Sequence, residues 1–254
     1  NQLAKQTSQL LVINGDDKNS VECTADVNLK KLFYGFDSKN DYYAANYQKG
    51  EGVSQSFDLM SDGKLITKIT LNVPGKHNVL NALAAITVAL YLGAEPENIA
   101  KSIAEFSGVH RRFEILGNVN GITVADDFAH HPTELTATLN SAMSMGFRKI
   151  WGVFQPHTFS RTYMLLDDFA KALSIPDQII ISEILPVRET NTYNIYAEDL
   201  CAKIEGSVYR KTFDEISDYV CSHAQPGDLI LTMGGGNVYM CANKIFAQLQ
   251  DKNK

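Results

Sequence analysis

The chain has 254 residues, of which 44% are hydrophobic and 20% charged, and it carries a formal net charge of -6. That length admits one large or two modest domains, and the acidic balance argues against a nucleic-acid-binding surface as its main purpose. No apolar run approaches the roughly 20 residues a membrane helix needs, so no membrane span is expected and the cytoplasm is the expected setting. Cys23, Cys201, Cys221 and Cys241 show no CxxC spacing and are expected to be buried free thiols of a reducing compartment. The opening Asn1-Gln2-Leu3-Ala4-Lys5 reads neither as a signal peptide nor as a natural start, which suggests a piece of a longer chain.

In chain order, residues 10–13 form an apolar strand ending in a turn, and residues 31–36 and 42–48 read as further strands. Residues 56–65 alternate across Asp62-Gly63, the usual hairpin signal. Residues 79–92 carry apolar side chains at helical spacing and stop at Gly93, and Pro96 opens a second helix to 106. After about residue 107 the pattern becomes a regular alternation. Strands at 122–125, 149–154, 178–184 and 228–233 are bounded by helices at 133–145, 163–173, 197–204, 213–224 and 238–249, with a short strand at 208–210. Such alternation predicts a Rossmann-like, doubly wound, mainly parallel sheet, preceded by a mixed α/β domain with the boundary near 106–110.

Two polar loops stand out. Asp126-Asp127-Phe128-Ala129-His130-His131-Pro132-Thr133-Glu134 follows one strand and opens a helix. Phe154-Gln155-Pro156-His157-Thr158-Phe159-Ser160-Arg161-Thr162 does the same at the next. In a parallel sheet both loops emerge at the carboxyl edge, where ligands bind, so His130, His131, His157 and Arg161 can converge on one cleft. Arg161 suits a carboxylate or phosphate, or a plain surface cap. Asp127, His130, His131 and His157 are all possible metal ligands, but no HExxH-like spacing supports a bound transition metal.

Arg111-Arg112 at the domain junction can hold polyphosphate or form a solvated basic turn. Asn78 and Asn81 share a helix face and can read a nucleobase edge, although capping would explain Asn78 as well. Gly234-Gly235-Gly236-Asn237 lets backbone N–H groups approach an anion, without being GxGxxG. No G-x-x-x-x-G-K-[ST] occurs, and neither an internal repeat nor a charge run is visible.

Taken together, GKHNVLNALAA, SGVHRRFE, DDFAHHPTE, FQPHTFSRT and GDLILTMGGGN resemble the Mur ligase family, with motifs in family order across residues 10–240. The resemblance implies the latter part of the family's central ATPase domain at 1–107 and its complete C-terminal domain at 108–254. It further implies a P-loop, magnesium ligands and a UDP-sugar domain in a part before Asn1, so that the fragment alone would be inactive. The implied reaction is ATP-dependent ligation of L-alanine to UDP-N-acetylmuramate through an acyl phosphate, in peptidoglycan precursor synthesis. ATP and Mg2+ are the implied cofactors, and no feature sets an oligomeric state.

By the same resemblance, Asn78 and Asn81 would contact adenine, Arg112 with Arg111 beside it would contact ATP, and Asp127 the ribose, with the Phe128 ring available for stacking. His130, His157 and Arg161 would form the catalytic amino-acid pocket, Arg161 holding the alanine carboxylate. Phe128 replaces the family's common tyrosine, and Gly-Gly-Gly-Asn replaces the more usual Gly-Ala-Gly-Asp. Two alternatives stand beside this reading: a ligase that attaches a recycled tripeptide to the same sugar nucleotide, and a non-catalytic nucleotide-binding module.

Overall fold

The structure is a computed structural model that describes residues 2–50 and 52–251. It divides into two compact units, Asn1–Ser107 and Gly108–Lys254.

The first unit runs α1 (Gln2–Gln6), β1 (Leu10–Asn14), α2 (Lys18–Thr24), β2 (Lys30–Gly35), β3 (Tyr42–Lys49), β4 (Gln55–Ser61), β5 (Lys64–Leu71), α3 (Lys76–Tyr91) and α4 (Pro96–Glu105). Its sheet has the order β1-β2-β3-β4-β5. The first three strands pair in parallel and the last three antiparallel. Alternate residues Phe57 and Leu59 of β4, and Ile69 and Leu71 of β5, face Val79, Leu83 and Ile86 of α3 and Ile99 of α4 in one core. The predicted hairpin closes with Ser61 opposite Lys64. Asp62 and Gly63 both take positive φ there, 47° and 71°, the primed turn that matches strand twist.

The second unit runs β6 (Glu114–Val119), β7 (Ile122–Asp127), α5 (Pro132–Met143), β8 (Ile150–Phe154), α6 (Phe159–Met164), α7 (Leu166–Leu173), β9 (Gln178–Ile181), α8 (Ala197–Cys201), β10 (Val208–Tyr209), α9 (Phe213–His223), β11 (Leu229–Met233) and α10 (Tyr239–Asp251). The sheet order is β10-β9-β8-β11-β7-β6. All neighbours are parallel except the β6–β7 pair. Period two sorts the strand residues onto two apolar faces. Ile150, Phe154, Ile179, Ile181, Leu229, Leu231 and Met233 pack with Leu135 and Leu139 of α5 and Phe169 and Leu173 of α7. Trp151, Val153, Ile180 and Ile230 pack with Ile216 and Val220 of α9 and Ile245 of α10. Helices therefore cover both faces, as the unbroken apolar strands require.

The order β8-β11-β7 positions the site. From β7 the chain steps over one strand position to β8, continues outward to β10, and returns to insert β11 between them. Met233 is level with both Asp127 and Phe154, so the loops after these three strands leave the sheet side by side at its carboxyl edge. A change of winding direction at that edge opens a crevice for ligands.

Several elements differ from the sequence reading. The edge strand β6 is additional, joined to β7 by Asn120 (φ 55°) and Gly121 (φ 80°), an Asn-Gly turn that is itself a hairpin signal. Helix α2 is also additional; its polar sequence hides it, and the signal was Asp17, whose carboxylate caps it by accepting from the Asn19 and Ser20 N–H groups. The helix expected at 163–173 starts at Phe159 and breaks at Leu165 into α6 and α7. All four cysteines are free, but Cys23 lies exposed on α2 rather than buried. Among the described residues no helix is long and apolar enough to cross a membrane.

Candidate active site

The loop after β7 is a saturated frame. Alternation sends its two carboxylates to opposite faces of the sheet. Asp126, 1% exposed, accepts Arg111 Nε at 2.9 Å and the Thr232 hydroxyl at 2.5 Å. Burial pushes its carboxyl upward, while Arg111 and Thr232 pull the other way. Asp127, 5% exposed, accepts the Phe113 and Ala129 N–H groups, each at 2.7 Å, and the Thr138 hydroxyl at 3.3 Å. Burial also raises the Asp127 carboxyl. Both acids thus bind neighbouring segments of the protein together.

The paired histidines divide by role. His131 is the N-cap of α5: its Nδ1 accepts the Thr133 N–H at 3.3 Å. Glu134 completes this capping box, its carboxylate accepting the His130 and His131 N–H groups. Burial alone would raise the Glu134 carboxyl, but those bonds and the nearby His130 and Arg112 hold it below its usual range. The His130 ring lies over the edge of the Phe128 ring, and its Nδ1 is 2.9 Å from the Phe128 carbonyl. A carbonyl only accepts, so Nδ1 carries the hydrogen and Nε2 of the neutral ring is left as a proton acceptor.

The two adjacent arginines also separate. Arg111 donates to Asp126 and to the carbonyls of Gly236 (2.9 Å) and Gly234 (2.8 Å), sandwiched between the Phe128 and Tyr239 rings. It ties β7 to the loop after β11. Arg112 stacks on Phe128 with its guanidinium 5.9 Å from the ring centre, and no hydrogen bond or ion pair joins that guanidinium to a described residue. The backbone at Arg111 (φ 61°) and Phe113 (φ 48°) is left-handed, a conformation held by the Glu114 and Asp127 carboxylates on their N–H groups.

The glycine run makes room for its neighbours. A Cβ on Gly235 would come within 3.1 Å of the His130 ring, and one on Gly236 within 2.3 Å of Leu185 and 2.7 Å of Gln155 Oε1. The glycines admit site side chains, while two of their carbonyls receive Arg111.

The loop after β8 is the opposite of a saturated frame. Gln155 Oε1, His157 Nδ1 and Arg161 Nη1 are buried and have no hydrogen-bond partner among the described residues. The fourth such atom, Asp228 Oδ1, lies 2.7 Å from the Arg148 guanidinium and is charge-paired. Gln155 is fixed by its Nε2, which donates to Asn237 Oδ1 at 2.9 Å. The His157 ring lies 5.9 Å from that of His130, so the two loops do meet. Burial, Arg161 and His130 together hold the His157 imidazole below its ordinary value, which keeps it neutral near pH 7. The structure thus brings the His130 and His157 rings together, with Arg161 near enough to His157 to lower its imidazole and with Gln155 bonded to Asn237 beside them.

In the first unit, Asn78 Nδ2 donates to the Pro74 carbonyl at 2.7 Å, and its Oδ1 accepts Asn81 Nδ2 at 3.2 Å. The pair shares one face of α3, at its first turn. Gln55 fixes the approach to that turn by donating to the Val73 and Gly75 carbonyls. Among the described residues no group of three or more histidine, cysteine or acidic side chains could hold a metal ion.

Comparison with known proteins identifies the family of this fold. The Mur ligase middle domain matches residues 1–89, and the Mur ligase, glutamate ligase domain matches residues 111–236. The chain belongs to the Mur ligase family. Within that family it is 42% identical, over 94% of its length, to a UDP-N-acetylmuramate–L-alanine ligase of Alkaliphilus metalliredigens, covering 52% of that protein. The corresponding ligase of Caldanaerobacter subterraneus is 40% identical over 92% of this chain and 52% of its own. A crystal structure of the UDP-N-acetylmuramate–alanine ligase MurC from Thermotoga maritima superposes with a TM-score of 0.77 at 25% identity, covering 96% of this chain and 52% of that one. The chain thus spans about half the length of the curated relatives it matches.

Proposed function

We propose that this chain is the later part of the middle domain (1–107) and the C-terminal domain (108–254) of an ATP-dependent ligase that joins L-alanine to UDP-N-acetylmuramate. The names of its relatives support that reading, and one observation carries it at the site. The buried polar atoms left unpartnered on Gln155 and His157, in the loop after β8, and on Arg161, in the helix α6 it opens, lie within seven residues of chain, and His157 meets His130. An amino acid complements that set: a carboxylate suits the Arg161 fork, and an amine suits the acceptor Nε2 of His130.

The chemistry follows from what each residue offers. Alanine arrives as an ammonium ion and must lose a proton before it can attack. His130 Nε2 takes that proton, and the Nδ1 hydrogen bond to Phe128 keeps the ring in the tautomer that can. Arg161 anchors the carboxylate, and neutral His157 adds no second positive charge to repel the ammonium. The amine then forms the C–N bond at the activated muramyl carbonyl as the C–O bond to phosphate breaks, and the departing phosphate carries off the second nitrogen proton to leave a neutral amide. Positioning carries most of this rate, because the two reactants have only to be held together.

Asn78 and Asn81 are proposed contacts of adenine. Arg112, whose guanidinium has no hydrogen bond to a described residue, is the proposed ATP contact, backed by Phe128. ATP supplies the phosphoryl group that activates the carboxylate, and the described residues offer no cluster of ligands for the magnesium that would accompany it. Phosphate release by the complete ligase tests the proposal. Release that requires both UDP-N-acetylmuramate and L-alanine is expected; release supported by a tripeptide but not by alanine would overturn it in favour of a recycling ligase.

A further inference from the structure

Glu189 sits midway along the loop between β9 and α8, and nothing in the sequence marks it. Its Oε1 accepts the Thr158 hydroxyl at 2.8 Å and the Ser160 hydroxyl at 2.5 Å, and its Oε2 accepts the Ser160 N–H at 2.8 Å. These three donors belong to the first turn of α6, which receives no side-chain cap from its own Thr158. The N–H groups of a helix start lack partners within the helix, so the carboxylate supplies what the local sequence does not. The Ser160 hydroxyl, then the Ser160 N–H and Thr158, hold the Glu189 carboxyl below its usual range.

The surrounding segment is fastened to the site loop along its length. The Ser182 N–H donates to the Phe154 carbonyl and the Leu185 N–H to the Pro156 carbonyl, each at 2.9 Å. His157 pairs with Leu185 in an isolated bridge. Val187, two residues before Glu189, has φ 57° and is 55% exposed. A β-branched residue rarely adopts that left-handed conformation, and it persists only where the surroundings impose it. The strain brings the chain round so that Glu189 returns to α6.

We propose that Glu189 is the positioning residue for Arg161. It clamps Thr158 and Ser160, the residues just before the arginine, and so fixes the turn from which the guanidinium reaches its ligand. Its own oxygens are occupied by three donors, so it orients the cation without taking the substrate carboxylate's place. This inference rests on the reading of Arg161 as the anchor for the alanine carboxylate.

The test is a double-mutant cycle in the complete ligase, with the KM for L-alanine as readout. Arg161→Ala is expected to raise that KM by roughly tenfold to a hundredfold. Glu189→Ala should raise it about tenfold with kcat at saturating alanine little changed, and Glu189→Gln, which keeps one acceptor oxygen, by about threefold. On the Arg161→Ala background, Glu189→Ala should add no more than about twofold, because both changes remove the same contact. Full additivity, or a KM for Glu189→Ala within about twofold of the parent, would overturn the inference while leaving Arg161 as the anchor. An unchanged KM for Arg161→Ala would sink both readings together. Should the alanine variant fail to fold, the threefold expectation for Glu189→Gln decides the matter alone.

Discussion

The loops after β7 and β8 have similar sequences in kind: each ends a buried strand, carries histidine, and opens a helix. Their hydrogen bonding sets them apart. In the first, Asp126, Asp127, His131 and Glu134 all bond to the protein itself. In the second, Gln155, His157 and Arg161 each keep a buried polar atom without a partner. Buried polar groups cost free energy unless paired, and in the proposed reading a bound amino acid would pair those of the second segment. Density of polar residues marks where a site is; satisfaction of their hydrogen bonds separates its frame from its ligand-binding side.

That contrast predicts opposite phenotypes. The largest effect should come from the frame: Arg111→Ala leaves Asp126 buried without its cation and frees two carbonyls beyond β11. Denaturant unfolding should show a loss of about 3–5 kcal/mol. Loss below about 1 kcal/mol would mean that the frame does not depend on this pair. Arg161→Ala should do the reverse, weakening alanine use by about 1.5–3 kcal/mol while stability stays level or rises. The same substitution removes a positive neighbour from His157, so its imidazole should titrate closer to the ordinary histidine value. An unmoved His157 midpoint in NMR titration would show that the Arg161 charge does not set it.

A pH test sharpens the distinction at the opposite end of the sheet. Asp228 is fully buried and accepts from the Trp151 indole, the Gln225 N–H and Arg148. Burial pushes its carboxyl upward, but these partners outweigh it and hold the group below the usual range. A lowered carboxyl stabilises the fold above its unfolded value, near pH 4, and loses that contribution as pH falls through the folded value. Asp228→Asn should therefore cost about 1.5 kcal/mol at neutral pH, and the gap from the parent should narrow in acid. A gap independent of pH would show that the charge contributes nothing. Smallest of all, His131→Ala should remove only a cap, below about 1 kcal/mol in thermal unfolding, with no change in alanine KM.

Much of the fold was legible because apolar period is a local property. The strands ending at Asp127, Phe154 and Met233 announce themselves as unbroken apolar runs, and Gly93 and Pro96 punctuate the helices of the first unit. β6 escaped because residues 114–119 mix Glu, Gly and Asn on an edge with one partner, although Asn120-Gly121 pointed to a hairpin. The site was legible in its residue types but not in their division of labour. Arg111 and Arg112 are adjacent in sequence, yet only the fold shows that Arg111 reaches the carbonyls of Gly234 and Gly236, more than a hundred residues on. Glu189 and Ser160 are 29 positions apart and belong to no shared motif. Their meeting is a product of the bridge between His157 and Leu185, which no local pattern encodes.

The most direct test of the contrast is to titrate the isotopically labelled chain with L-alanine and follow backbone amides and arginine side chains by NMR. Saturable shifts at Gln155, His157, Ser160 and the Arg161 Nε–H group are expected, with the Ala129 amide and the Arg111 side chain unmoved. Shifts centred on Ala129 and Arg111 with Arg161 silent, or no saturable shift anywhere, would contradict the assignment of the β8 loop as the ligand-binding side.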